Sequence, residues 1–191
     1  MRPEEEQELL EKIKENPESF SEIFDACYKP VFNYILHRVA DYDVSRDIAA
    51  DTFLKAFVNI NSFSWRGISV LSWIYRIATN EINYYYRKNK TARISLDLLG
   101  PQASQLFAFD GYPTEKQLIE EEMQHNEDFA RVQRSLKKLS VKYQEVLSLR
   151  YFEKKSIKEI SEILDKKEGT IKSLLSRGLE KLKTEFNNAT I

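Results

Sequence analysis

Within SIKEISEILDKKEGTIKSLLSRGLEKL, Ser156 to Leu182, the apolar, small and turn positions carry the spacing of two helices that cross at a tight turn. Ile160 and Leu164 on the first helix are placed to pack against Ile171, Leu174 and Leu175 on the second. Ser161 is small where the two helices approach closely. Asp165 sits at a turn position that demands a left-handed backbone, which aspartate tolerates better than most residues. Ser156 and Glu159 have the spacing of a capping box and set the start of the first helix. The inward face of the second helix continues through Gly178, Leu179 and Leu182. Its opposite face shows Thr170, Lys172, Ser173, Ser176, Arg177 and Lys181, residue types that bond phosphates and base edges in a major groove. A solvated helical hairpin is the plainer alternative, since Lys-rich exposed faces are common.

The rest of the chain is helical in pattern as well. Five glycines and five prolines in 191 residues, with little apolar–polar alternation, predict an all-α protein. Ser19–Val39 reads as a helix opened by another capping-box pattern, Ser19 to Glu22, and Pro30 is expected to kink or split it. Asp43–Asn59 is a second helix, with Ile48, Phe53, Ala56, Phe57 and Ile60 at helical spacing. Asn61–Gly67 is a loop, and Ser69–Lys88 a third helix. Periodicity then stops around Gly100, Pro101, Gly111 and Pro113, so residues 90–113 read as a flexible linker. Thr114 and Gln117 open an acidic helix running to about Leu139, followed by helices near Ser140–Phe152, Ser156–Leu164 and Glu168–Phe186. Two small helical domains result, residues 1–89 and 114–191.

The segment EINYYYRKNK, Glu81 to Lys90, sets three tyrosines against a basic tail. On the Ser69–Lys88 helix, Leu71, Ile74, Ile77, Ala78, Ile82 and Tyr85 share one face. Trp73, Arg76, Asn80, Asn83, Tyr84 and Arg87 share the other, and Tyr86 falls between them. An outward stripe of Trp, Arg, Asn and Tyr suits duplex contact beside base stacking, worth about 1–3 kcal/mol per stacked base. Packing against another protein domain is the alternative.

Composition narrows the function further. Net charge is −1, yet acids dominate Met1–Ala26 and the stretch from Glu115 to Asp128, whereas basic residues gather at Arg87–Arg93 and from Lys154 to Lys183. Two basic patches between acidic segments suggest two DNA-contacting modules. The single cysteine, Cys27, forms no intrachain disulfide and reads as buried, and two histidines offer no metal-ligand spacing. No cofactor is expected. Gly-rich phosphate loops, Cys–His pairs and Ser–His pairs are missing from the sequence, so an enzyme acting on a small-molecule substrate is not expected. No apolar run approaches transmembrane length and the N-terminus lacks a signal-peptide core, which places the chain in the cytoplasm by default.

LKKLSVKYQEVLSLRYFEKKSIKEISEILDKKEGTIKSLLSRGLEKLK, Leu136 to Lys183, resembles region four of the bacterial RNA polymerase sigma factors of the extracytoplasmic-function group. DIAADTFLKAF, Asp47 to Phe57, and SWIYRIATNEINYYYRKNK, Ser72 to Lys90, resemble region two of the same family. The resemblance implies an initiation factor that binds core RNA polymerase, recognises promoter DNA and starts its melting. It implies a minus-ten surface of Ser64, Trp65, Trp73, Arg76, Asn80, Asn83, Tyr84, Arg87 and Lys88. The loop from Asn61 to Ile68 would capture a flipped base. It implies a minus-thirty-five surface of Thr170, Lys172, Ser173, Ser176, Arg177 and Lys181. Leu174, Leu179, Ser176 and Glu180 stand where relatives often carry larger or basic residues, so binding at that element is expected to be weaker or differently specific. Asp47, Asp51, Thr52, Phe53 and Lys55 would meet the beta-prime clamp of the polymerase, and region four its beta flap. An anti-sigma partner is implied too. A helix-turn-helix regulator that binds duplex DNA without the polymerase is the competing reading, and it leaves the Trp–Arg–Asn–Tyr stripe idle.

Overall fold

The computed structural model describes residues 3–63, 68–96 and 127–188, and every regular element among them is helical. The elements are α1 (Pro3–Glu15), a 3₁₀ turn (Pro17–Ser19), α2 (Phe20–Val39), α3 (Tyr42–Asn59), a second 3₁₀ turn (Ile60–Ser62) and α4 (Val70–Leu96). After them come α5 (Glu127–Lys138), α6 (Val141–Leu147) running into a π turn (Ser148–Phe152), α7 (Ile157–Leu164) and α8 (Glu168–Asn188). No helix among these residues is long and apolar enough to cross a membrane.

Helices α2, α3 and α4 pack pairwise around Val31, Ile35, Ala49, Ala56, Ile74, Ala78 and Ile82, each 5% exposed or less. The acidic α1 adds Leu9, Leu10 and Ile13 to this core, packing against the Ile60–Ser62 turn. Its Glu6 carboxylate accepts a hydrogen bond from the Val70 N–H at the start of α4 (3.3 Å), where the helix dipole favours an anion.

Three sequence expectations change here. Ser19 makes no capping bond, because its own backbone is already helical (φ −63°, ψ −10°) whereas a capping serine needs an extended one. Asn16 caps the preceding turn instead, its Oδ1 accepting from the Glu18 N–H at 3.1 Å. Pro30 does not split α2: Cys27 and Val31, on either side of it, are both buried, and the packing holds the helix through the missing N–H. The third helix does not stop at Lys88 but continues to Leu96, into the segment expected to be linker. Residues 97–113, and the Thr114–Gln117 capping pattern, lie outside the described residues.

In the C-terminal half the helix-turn-helix forms as its spacing requires. Ser156 Oγ accepts from the Glu159 N–H (3.2 Å) and Glu159 Oε2 from the Ser156 N–H (2.8 Å), closing the capping box. Asp165 is left-handed at φ 52°, ψ 51°. The Ser161 hydroxyl donates to the Lys166 carbonyl across the turn. Gly178 faces inward, and a Cβ there would lie 3.3 Å from both Leu147 and Tyr143. That close approach turns Leu179 out: it is 46% exposed, not inward as expected, while Ile171 is fully buried.

The two halves pack against one another. α7 lies on α4, and both the π turn and α5 touch α2.

Candidate nucleic-acid interface

The long α4 divides the tyrosine triplet as its helical period requires. Tyr84 is exposed and Tyr85 half-buried against the core. Tyr86, which the sequence left between faces, is half-buried and donates its hydroxyl proton to the Arg38 carbonyl at 2.8 Å. Asn80, Arg87 and Lys88 are exposed. Trp73 is half-buried, its ring centred 4.9 Å from that of Phe63. These two rings, with Ile68, Arg76, Asn80 and Lys55, border an open cleft of about 500 Å³, within the size range of small-ligand sites. Ser64 and Trp65 lie outside the described residues.

Arg76 and Asn83 belong to the same stripe but meet the C-terminal half. Arg76 donates from Nε to the Ile163 carbonyl (3.2 Å) and from Nη2 to the Glu162 carbonyl (2.5 Å), at the end of α7. Asn83 Nδ2 donates to Glu145 Oε1 at 2.8 Å, while its own Oδ1 is buried without a hydrogen bond. Beside them Glu153 joins the halves with both oxygens: Oε1 bonds His37 Nδ1 (3.1 Å) and Oε2 accepts from the Tyr75 hydroxyl (3.0 Å). Tyr75 is 1% exposed. Its burial, reinforced by the Glu153 charge, pushes its phenol well above the ordinary range. Burial likewise lifts the Cys27 thiol to about 11, leaving it a packed apolar side chain with no thiolate character.

On α8, Thr170, Lys172, Ser173, Ser176, Arg177 and Lys181 are all exposed and share the side away from Ile171 and Gly178. Asp47, Asp51 and Lys55 on α3 are exposed, and Lys55 holds Glu81 at 2.6 Å, a bond that raises the lysine's pKa. Thr52 and Phe53, assigned to the same protein interface from the resemblance, do not face outward. Thr52 is fully buried with its hydroxyl on the Ile48 carbonyl (2.7 Å), and Phe53 is 4% exposed among aromatic neighbours. The apolar side chains that α3 does present are Leu54, Phe57 and Val58, with Phe24 of α2 also exposed. Leu54 and Val58 are one helical turn apart and out of phase with the Ile48–Ala56 core face, a signal the sequence contained.

Among the described residues, no group of three or more His, Cys, Asp or Glu is arranged to hold a metal ion.

Comparison with known proteins matches residues 23–92 to the model of sigma-70 region 2 and residues 129–182 to that of sigma-70 region 4. The chain is 29% identical to the ECF RNA polymerase sigma factor SigW of Bacillus subtilis (strain 168), over 92% of each chain. It is 33% identical to the RNA polymerase sigma factor SigZ of the same organism, over 86% of this chain and 85% of that one. Among solved structures, CnrH in complex with the cytosolic domain of CnrY shares the fold at TM-score 0.67 and 17% identity, covering 96% of this chain and 97% of that one. The sigma factor RpoE in complex with the anti-sigma factor NepR from Bartonella quintana aligns at TM-score 0.61 and 21% identity, over 88% and 96%. Both regions fall in order on the two helical halves, and this chain belongs to the sigma-70 family of RNA polymerase sigma factors, in its extracytoplasmic-function group.

Proposed function

We propose that the protein docks on core RNA polymerase in the cytoplasm, directs it to promoters through two DNA-binding units, and begins strand separation without chemistry of its own. The observation that carries this reading is the α4 stripe. Exposed Asn80, Tyr84, Arg87 and Lys88 lead along one helix to the Phe63–Trp73 cleft. Extruding a base costs a few kcal/mol of stacking and pairing. A cleft with aromatic walls and an asparagine and an arginine at its rim offsets that cost only for a base that fits. Ser64, Trp65 and Trp73 would receive the base. Arg76, Asn80, Asn83, Tyr84, Arg87 and Lys88 would hold the minus-ten strand around it.

The α8 face, with Thr170, Lys172, Ser173, Ser176, Arg177 and Lys181, is suited to the minus-thirty-five major groove. Asp47, Asp51 and Lys55 are suited to the beta-prime clamp, joined by Leu54, Phe57 and Val58 as an exposed apolar patch of the kind that marks protein contact. The N-terminal unit then ends with α4, and the C-terminal unit includes α5–α8. An anti-sigma factor is the expected antagonist, as NepR is the partner of the Bartonella protein in its complex. A regulator acting without polymerase would need only the α8 face.

The test mixes the protein with sigma-free core polymerase, follows co-elution, and reads a fluorescent base analogue placed in a candidate minus-ten element. Co-elution with a fluorescence rise that needs both components is expected, and Asn80→Ala and Tyr84→Ala should abolish the rise while leaving co-elution intact. Salt-sensitive duplex binding without any polymerase complex would overturn the reading.

A further inference from the structure

α1 carries one acid where its pattern calls for an apolar residue. Its inward face repeats through Leu9, Leu10 and Ile13, and helical spacing places Glu6 on that same face. Glu4, Glu5 and Glu8 around it are exposed, whereas Glu6 is 5% exposed. A carboxylate held out of water is costly unless hydrogen-bonded, and a leucine there would bury without that cost. The reason for an acid at this position lies in what the carboxylate holds.

It holds the start of α4. Glu6 Oε2 accepts from the Val70 N–H, 64 residues away in sequence. Val70 is the first residue of α4, where the N–H has no partner within the helix. Ser69 secures the same turn. Its Oγ accepts from the Ser72 N–H at 3.1 Å, and its carbonyl accepts from the Trp73 N–H at 3.0 Å. Trp73 therefore rides on the turn that Glu6 fixes, and its ring is one of the two aromatic walls of the cleft. The other wall is reached from the same helix. Leu10, one turn after Glu6, borders a groove with Ile60, Ser62 and Phe63, and the Ile60–Ser62 turn packs on α1. α1 thus grips the Phe63 side of the cleft through an apolar contact and the Trp73 side through a hydrogen bond. Between those grips the two ring centroids stand 4.9 Å apart.

We propose that Glu6 is a positioning residue for base capture, setting the first turn of α4 so that Trp73 faces Phe63 across the cleft. The role rests on the reading of that cleft as the receptor for a flipped base. Glu6 itself touches no nucleic acid. An apolar residue at position 6 packs as well but orphans the Val70 N–H, and a buried donor without an acceptor is driven toward water. The first turn shifts with it, and Trp73 leaves its place opposite Phe63. A stacking site needs its aromatic surfaces at a fixed separation, so the cleft stops recognising a base while the fold persists.

The experiment uses Glu6→Leu and Glu6→Gln in the full chain, each assembled with core polymerase. Fluorescence anisotropy reads binding of a labelled single-stranded minus-ten oligonucleotide, and of a series in which each nucleotide in turn is abasic. For wild type, an abasic site at the captured position should weaken binding about tenfold, within the range for one stacked base. Glu6→Leu should bind the intact and abasic oligonucleotides alike. Glu6→Gln, whose amide oxygen can still accept from Val70, should keep the penalty. Urea denaturation should give both variants midpoints close to that of wild type. Glu6→Leu that retains the full penalty overturns the proposal and leaves Glu6 a helix cap. So does loss of the penalty in Glu6→Gln, since the hydrogen bond would then not be what positions Trp73. If circular dichroism shows Glu6→Leu unfolded, Val70→Pro deletes the donor at a position where proline suits a helix, and it must lose the penalty for the proposal to stand. Wild-type protein with no abasic penalty at any position overturns the base-capture reading itself, and the role of Glu6 with it.

Discussion

Arg76 on α4 donates from Nε to the carbonyl oxygen of Ile163 at 3.2 Å, across 87 residues of chain. A charged donor on two neutral acceptors typically stabilises by about 1.5–3 kcal/mol. The carbonyls at the end of α7 rehydrate when the arginine is removed, so the lower end applies. Arg76→Ala should lower unfolding free energy by about 1–2 kcal/mol. Urea denaturation checks the loss, and Arg76→Lys should recover only part of it because an ammonium cannot span both oxygens.

Phe53 and Leu54 are neighbours with opposite environments, 4% and 61% exposed. Phe53→Ala removes a ring packed edge-on to Phe24 and should cost about 3–5 kcal/mol. Leu54→Ala should stay within about 0.5 kcal/mol of wild type in the same denaturation experiment. If α3 carries the polymerase surface, Leu54→Ala should nevertheless weaken co-elution with core polymerase.

Ser156 and Glu159 cap α7 reciprocally. Ser156→Ala should cost about 1 kcal/mol. Burial disfavours the Glu159 carboxylate, but its bonds to the Ser156 main chain and hydroxyl, with Lys155 nearby, outweigh this and lower its pKa below the carboxylate range. A lowered folded pKa means its contribution is complete above the ordinary carboxylate pKa and disappears as pH falls through the lowered value. Acid titration of the melting temperature should therefore show a smaller fall for Glu159→Gln than for wild type.

Burial raises the phenols of Tyr34, Tyr75 and Tyr86 above their ordinary value of 10.0. Such groups stabilise fully below the unfolded pKa, and the contribution is lost as pH rises past it, since the unfolded chain gives up the protons first. The urea midpoint should hold up to about pH 9 and fall above about pH 10. Tyr75→Phe should flatten that alkaline fall.

Much of this architecture could be read from local rules. The capping box at Ser156, the left-handed Asp165 and the inward Ile171 each follow from residue types a few positions apart. The split of Tyr84 from Tyr85 follows from the helical period. Ser19 failed as a cap because tertiary packing, not the local pattern, decided where the backbone became helical. Thr52 and Phe53 lie inward, which the resemblance does not show because it names a helix without its rotation. The junction was illegible for another reason. His37, Tyr75 and Asn83 meet Glu153 and Glu145 across 116, 78 and 62 residues, and no periodicity links partners so far apart.

That separation sets an order of events during synthesis. Domains fold largely as they emerge, N-terminal first. Residues 3–96 can pack α1 through α4 before Glu145, Glu153 or α7 has been translated. The nascent factor therefore meets the cell with Arg76 and Asn83 bare, and acquires its cover only as the last third of the chain leaves the ribosome.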